Sequence, residues 1–324
     1  MSEDALITRR GSTLFDGLVE RFSSLNDYCN PILVKEVRQA LKSWMFVSAF
    51  LICLLLCWTY TFFAVVMYRD AINYSPVGTT FFRTFYGCLS FAVIVVVPFS
   101  TFRSLLTERE EATYEMLSIT ALSPRRIVIG KLLSAFVQVA LLYSAIAPFI
   151  AFSSLLQGFD IVQVALSLTF GLFASMFASM IVLAQSAQVK KRAWQSLTSL
   201  VVLGMLAWFW GVVGIAGQFA MANLPIAVVT SKEFLFSMLC LFAAATTFFA
   251  LAYQSTVAAL TFESDNRTTG IRVALTVQLL LFWTLIAAAG KFLHVTPNVN
   301  DFEVFTTITM VHTAGCVFFF SLRA

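Results

Sequence analysis

Side chains able to do acid–base, nucleophilic or metal chemistry are thinly spread in this chain, and most lie at the edges of apolar runs. His312 is the only ionisable group inside such a run, and a lone imidazole suits a packing hydrogen bond better than a proton relay. Cys53 and Cys57 would share a helix face, but no His or carboxylate accompanies them. They read as small packed hydrophobes rather than a metal pair. Neither H-E-x-x-H nor G-x-S-x-G occurs, and Gly130-Lys131 and Gly290-Lys291 lack the flanking residues of a phosphate-binding loop. No catalytic, cofactor-binding or metal-ligating set is expected. The chain is not expected to be an enzyme, and nucleotide hydrolysis would fall to another protein.

Uncharged polar side chains do occur within the runs. Gln138, Gln163 and Gln254 are the candidates for lining a substrate path, with Gln185 and Gln278 as further members. Gln163, three residues past Asp160, belongs near the outer mouth. For any one of them, an interhelical hydrogen bond is the competing role.

Recognition chemistry is concentrated in two segments. The first runs from Asn30 to Ser43. Asn30 can cap a helix, and Pro31 suits its first position. Leu33, Val34, Val37, Leu41 and Trp44 then form an apolar stripe, with Lys35, Glu36, Arg38, Gln39 and Lys42 on the other face. The pattern predicts an amphipathic helix in the plane of the membrane interface. The second segment, Glu108 to Lys131, begins with acidic residues suited to a helix start. Tyr114, Met116, Leu117 and Ile119 follow as a compact apolar group that wants a pocket. Arg125, Arg126 and Lys131 are expected to hold the cytoplasmic end of the next span.

The elements that carry these segments follow from composition. Of 324 residues, 59% are hydrophobic and 12% charged, against roughly one-quarter charged in soluble domains. Stretches 43–68, 84–102, 132–159, 161–189, 193–231, 234–262, 273–290 and 304–322 contain no Asp, Glu, Lys or Arg. A membrane-crossing helix needs about 20 apolar residues. The expected fold is therefore all-α: a polytopic membrane helix bundle of about eight transmembrane helices. Soluble enzyme classes are excluded. In the run 193–231, a fifth span is expected at about 197–219, weakened by Gly204, Gly211, Gly214 and Gly217.

Lys and Arg mark the cytoplasmic side. With eight spans, 17 of the 21 fall on one side, including Lys190-Lys191-Arg192, and both termini are placed in the cytoplasm. A net charge of +4 distributed in this way argues for lipid headgroups and against nucleic acid. The expected organisation is a cytoplasmic segment 1–29, the amphipathic helix 30–43, six spans over 44–260, and a linker with an additional hairpin over 261–324. No cleaved leader is expected, since 43 polar-to-amphipathic residues precede the first apolar run.

At its two recognition segments the sequence resembles the permease subunits of type 2 ABC transporters. Asn30, Pro31, Lys35 and Glu36 are similar to the family's elbow-helix opening, and Arg38 continues it. Glu110, Glu111, Thr113, Glu115 and Leu117, ending in Gly130-Lys131, are similar to its coupling-helix loop; Ala112 and Ala121 depart from the usual Gly and Pro. The resemblance covers about 30–260, and the hairpin 273–322 exceeds it.

Several properties are implied by that resemblance. Glu110, Glu111, Thr113, Tyr114, Glu115, Met116, Leu117 and Ile119 would dock a separate P-loop ATPase carrying ATP and Mg. The chain would pair with a second permease, identical or not, in the plasma (inner) membrane, and the transporter would be an exporter. Gly171, Ser175 and Ser179, every fourth residue, would suit packing against that second chain or within this one. A non-transporting membrane scaffold is the alternative function.

Overall fold

In hydrocarbon a backbone must satisfy its own hydrogen bonds, and a single apolar segment can do so only as a helix. Every regular element described here is helical. The computed structural model describes residues 31–69, 77–110, 123–156, 161–189, 192–216, 231–261 and 268–292. The chain divides into two units, Met1–Asn223 and Leu224–Ala324.

In the first unit, α1 (Pro31–Lys42) is followed by α2 (Trp44–Met67). Next, α3 (Gly78–Phe91) runs through a π-helical stretch, Ala92–Val96, into α4 (Val97–Glu110). Then come α5 (Pro124–Leu155), α6 (Ile161–Gln188) and α7 (Arg192–Phe209), the last extended by a second π-helical stretch, Trp210–Ala216. The second unit contains α8 (Lys232–Leu260) and α9 (Thr269–Phe292).

Six helical segments are long and apolar enough to cross a bilayer: Trp44–Met67, Gly78–Glu108, Pro124–Leu155, Val162–Gln188, Trp194–Gly214 and Phe234–Leu260. The chain is a multi-pass helical membrane protein. A seventh apolar helix, Thr269–Leu285, is shorter, and the expected eighth, 304–322, lies outside the described residues. The fifth crossing begins earlier than the sequence suggests, and Gly204 and Gly211 sit inside it without breaking it. Neither glycine has a heavy atom near the place of a Cβ, so no close approach of a neighbour depends on the missing side chain there.

Leu51, Leu55, Trp58, Phe62 and Met67 of α2 are all exposed. Such a surface is untenable in water and ordinary against lipid tails. Because lipid is as apolar as a side chain, close packing and polar contacts must hold the helices together. An aromatic cluster does this at the end of the bundle remote from α1. There Tyr60 meets Phe81 and Phe85 edge-on, at 5.5 and 5.7 Å, and Phe149 and Phe152 of α5 pack against the same pair.

The stripe Gly171, Ser175 and Ser179 is buried on α6 within this chain. The hydroxyl of Tyr143 donates to the Leu168 carbonyl at 2.8 Å, and that of Tyr86 to Ser167 at 2.7 Å. A Cβ on Gly171 would stand 2.8 Å from the Tyr143 oxygen and 3.1 Å from that of Tyr86. Glycine is therefore required for both tyrosines to reach α6. One repeat along, Ser175 donates to Val93 O at 2.7 Å, using a carbonyl within the π-helical stretch.

In the second π-helical stretch, Trp210 Nε1 donates to Ser90 Oγ at 3.0 Å, and its ring meets Phe91 edge-on at 5.2 Å. The Trp210 ring lies where a Cβ of Gly214 would be, 2.6 Å from Cδ1. Gly214 therefore makes room for the indole.

The second unit is held by α8 packing along α9, including the Phe248–Phe282 ring contact at 6.4 Å. Ser231 caps α8 by accepting from Phe234 N at 3.2 Å.

Candidate functional site

Pro31 starts α1 at a position where its missing N–H costs nothing. The helix ends at Lys42, and one extended residue, Ser43 (φ −61°, ψ 125°), turns the chain into α2. Lys35, Arg38, Gln39 and Lys42 are exposed, while Val34, Val37, Ala40 and Leu41 are half-buried as α1 packs along α5. Two residues depart from the expected faces. Trp44 is exposed, and Glu36, assigned by its spacing to the polar face, is 5% exposed.

The cause is Lys131. Its ammonium sits two turns into α5, 2% exposed, beyond the exposed Arg125 and Arg126. A cation removed from water in this way needs compensating charge. Lys131 Nζ donates to Glu36 Oε1 and Oε2 at 3.2 and 3.1 Å and to Ser104 Oγ at 2.7 Å, and it pairs with Glu108 Oε2 at 3.0 Å. Ser104 Oγ in turn lies 3.4 Å from Glu36 Oε2. An ammonium has three donors, and all are engaged here. Lys35 Nζ, 3.9 Å from Glu108 Oε1, brings a second positive charge to the two carboxylates.

The helix dipole would not choose the position of Glu108, which is in the last turn of α4, where negative charge is disfavoured. Partner charge places it there. The cluster ties α1, α4 and α5 at one end of the bundle, and α4 and α5 are the helices that flank segment 111–122.

Beside the cluster is a polar cavity of about 310 Å³ bordered by Glu36, Arg103, Ser104, Lys131, Ser134 and Gln138. Gln138, the first candidate path residue, is 2% exposed, and its Oε1 has no hydrogen-bond partner among the described residues. Gln163 belongs to the first turn of α6, at the other end of the bundle, and does not border this cavity. Gln254 belongs to the second unit, where its Oε1 lies 2.6 Å from the place of a Gly270 Cβ. Gln185 Nε2 reaches Met205 Sδ at 3.6 Å. Gln278 is fully buried, and neither amide atom has a partner among the described residues.

Of the expected coupling residues, Glu110 closes α4. Glu111, Thr113, Tyr114, Glu115, Met116, Leu117 and Ile119 lie outside the described residues, as does Asn30. Sequence reasoning assigned Lys131 to the membrane surface and did not join it to Glu36, Ser104 and Glu108. One signal was present: Lys131 lies inside the apolar turn after Arg125 and Arg126, too deep to be left without a counter-charge. The chain matches no protein-family model, no curated protein and no solved structure.

Proposed function

We propose that this chain is the permease subunit of an ATP-driven transporter of the type 2 ABC kind, working in the plasma membrane as an exporter. In this reading both termini are cytoplasmic, the spans number eight, and α1 is the elbow helix. Two permeases, identical or sister chains, face two P-loop ATPases that carry the ATP and Mg. The ATPase docks on the segment Glu110 to Thr120.

The observation that supports the reading best is the Glu36–Lys131–Glu108 cluster. A force on segment 111–122 enters the bundle through the end of α4 and the start of α5. Lys131 bonds α5 to Glu108 and Ser104 of α4 and to Glu36 of α1. The three helices therefore move as one body, and a push on the docking segment becomes a tilt of α4 and α5. The π-helical stretch Ala92–Val96 interrupts the helix above α4, a place where such a tilt can be absorbed.

The test is co-purification. A tagged parent chain, extracted from its own membranes, is expected to bring down a P-loop ATPase. The double variant Tyr114→Asp/Leu117→Asp should insert normally and lose that ATPase. A parent chain that carries none, or a double variant that keeps it, overturns the docking assignment.

A further inference from the structure

Next to the polar cavity beside Lys131 lies an apolar groove that shares a wall residue with it. Met45 borders both the 310 Å³ polar cavity and a 660 Å³ groove walled by α2, α3 and its π-helical stretch, α4 and α7. On α2 the groove follows Met45, Ala49, Ile52 and Leu56; on the facing helix it runs from Phe99 back to Thr84. From Met45 to Leu56 the rise is about 16 Å, close to the depth of one leaflet of a roughly 30 Å hydrocarbon core. A polar pocket at one end of a leaflet-deep apolar groove has the shape of a phospholipid.

Charge selects among phospholipids. Glu36 faces the polar cavity, but Lys131 offsets it, and Lys35 and Lys131 together balance Glu36 and Glu108. Arg103, exposed at the cavity, has no ion-pair partner among the described residues, and Arg38 and Lys42 of α1 are exposed beside Gln39, another residue of its wall. The local excess is positive. At the buried end, the Gln138 Oε1 acceptor lacks a donor among the described residues, which a headgroup hydroxyl can supply.

We infer that unit one holds an anionic phospholipid with a hydroxylated headgroup, its phosphate at Arg103 and one acyl chain in the groove from Met45 to Leu56. The site does not depend on coupling to an ATPase.

The probe is dioleoyl-phosphatidylglycerol added to the delipidated full chain in detergent, with dioleoyl-phosphatidylcholine and sodium phosphate in parallel, read by native mass spectrometry. Phosphatidylglycerol should bind in preference to phosphatidylcholine, and phosphate alone should not compete. Arg103→Gln should weaken phosphatidylglycerol by about tenfold, the scale of a lost charge-assisted bond, and erase the preference. Gly87 borders the groove and has no heavy atom near the place of a Cβ, so Gly87→Leu should fill the groove and weaken both lipids.

Binding unchanged in both variants overturns the site, as does full competition by phosphate, which would mark a headgroup-sized anion pocket. A Gly87→Leu chain that changes oligomeric state with lipid binding intact would make the groove a contact between copies and overturn it too. On the parent chain, a phosphatidylglycerol with a diazirine at mid-chain should label peptides 45–56 and 84–99. Labels spread along the exposed faces of α2 and α8 would be the contrary result.

Discussion

Lys131 Nζ lies 3.1 Å from Glu36 Oε2, a contact between residues 95 apart whose side chains are 1% and 6% exposed. It makes α1 part of the bundle. Without it, α1 would hold to α5 only through its half-buried apolar residues, and its one buried carboxylate would have no reason to leave water.

Removing the cation should therefore cost more than removing one anion. Lys131→Met leaves Glu36 and Glu108 facing each other and should destabilise the detergent-solubilised protein by about 3–5 kcal/mol. Glu36→Gln should cost less, because Glu108 and Ser104 still serve the ammonium. Thermal unfolding of both single variants and the double variant closes a cycle. Strictly additive losses would show that the two residues are not coupled.

Gly171 offers a test of packing between α5 and α6. Gly171→Ala places a methyl 2.8 Å from the Tyr143 hydroxyl and should cost about 1–3 kcal/mol by overpacking. Tyr143→Phe removes the obstructing oxygen, so the double variant should recover part of that loss. A Gly171→Ala protein as stable as the parent would contradict the tight approach.

Trp210→Phe keeps a ring against Phe91 but loses the donor to Ser90. The expected loss is about 0.6 kcal/mol and under 2 kcal/mol. Ser90→Ala should cost a similar amount, and the pair together little more than either. The readout is thermal unfolding, with tryptophan emission of Ser90→Ala as a second measurement.

The proposed orientation predicts opposite labelling on the two sides of α6. With the six native cysteines replaced, Phe159→Cys should react with a membrane-impermeant maleimide added to intact cells. Lys190→Cys should react only after permeabilisation. The reverse pattern would invert the topology.

The crossing helices were legible in the linear chain because bilayer thickness sets a length that an apolar run either meets or does not. The start of α1 at Pro31 was legible for a similarly local reason. The face of α1 was not. Periodicity places Glu36 beside Lys35 and Arg38, and only the proximity of Lys131 explains why one of the three is buried. The same holds for Gly171 and Ser175, whose fourfold spacing marks a close contact without naming Tyr143 or Val93 as its other side. Nor did composition foretell that the sixth crossing helix shares a compact unit with α9. Local patterns record the period of a helix and the solvent it must meet. Which side chains complete a charge or fill a gap depends on distances between segments far apart in the chain, and those distances exist only once the helices have packed.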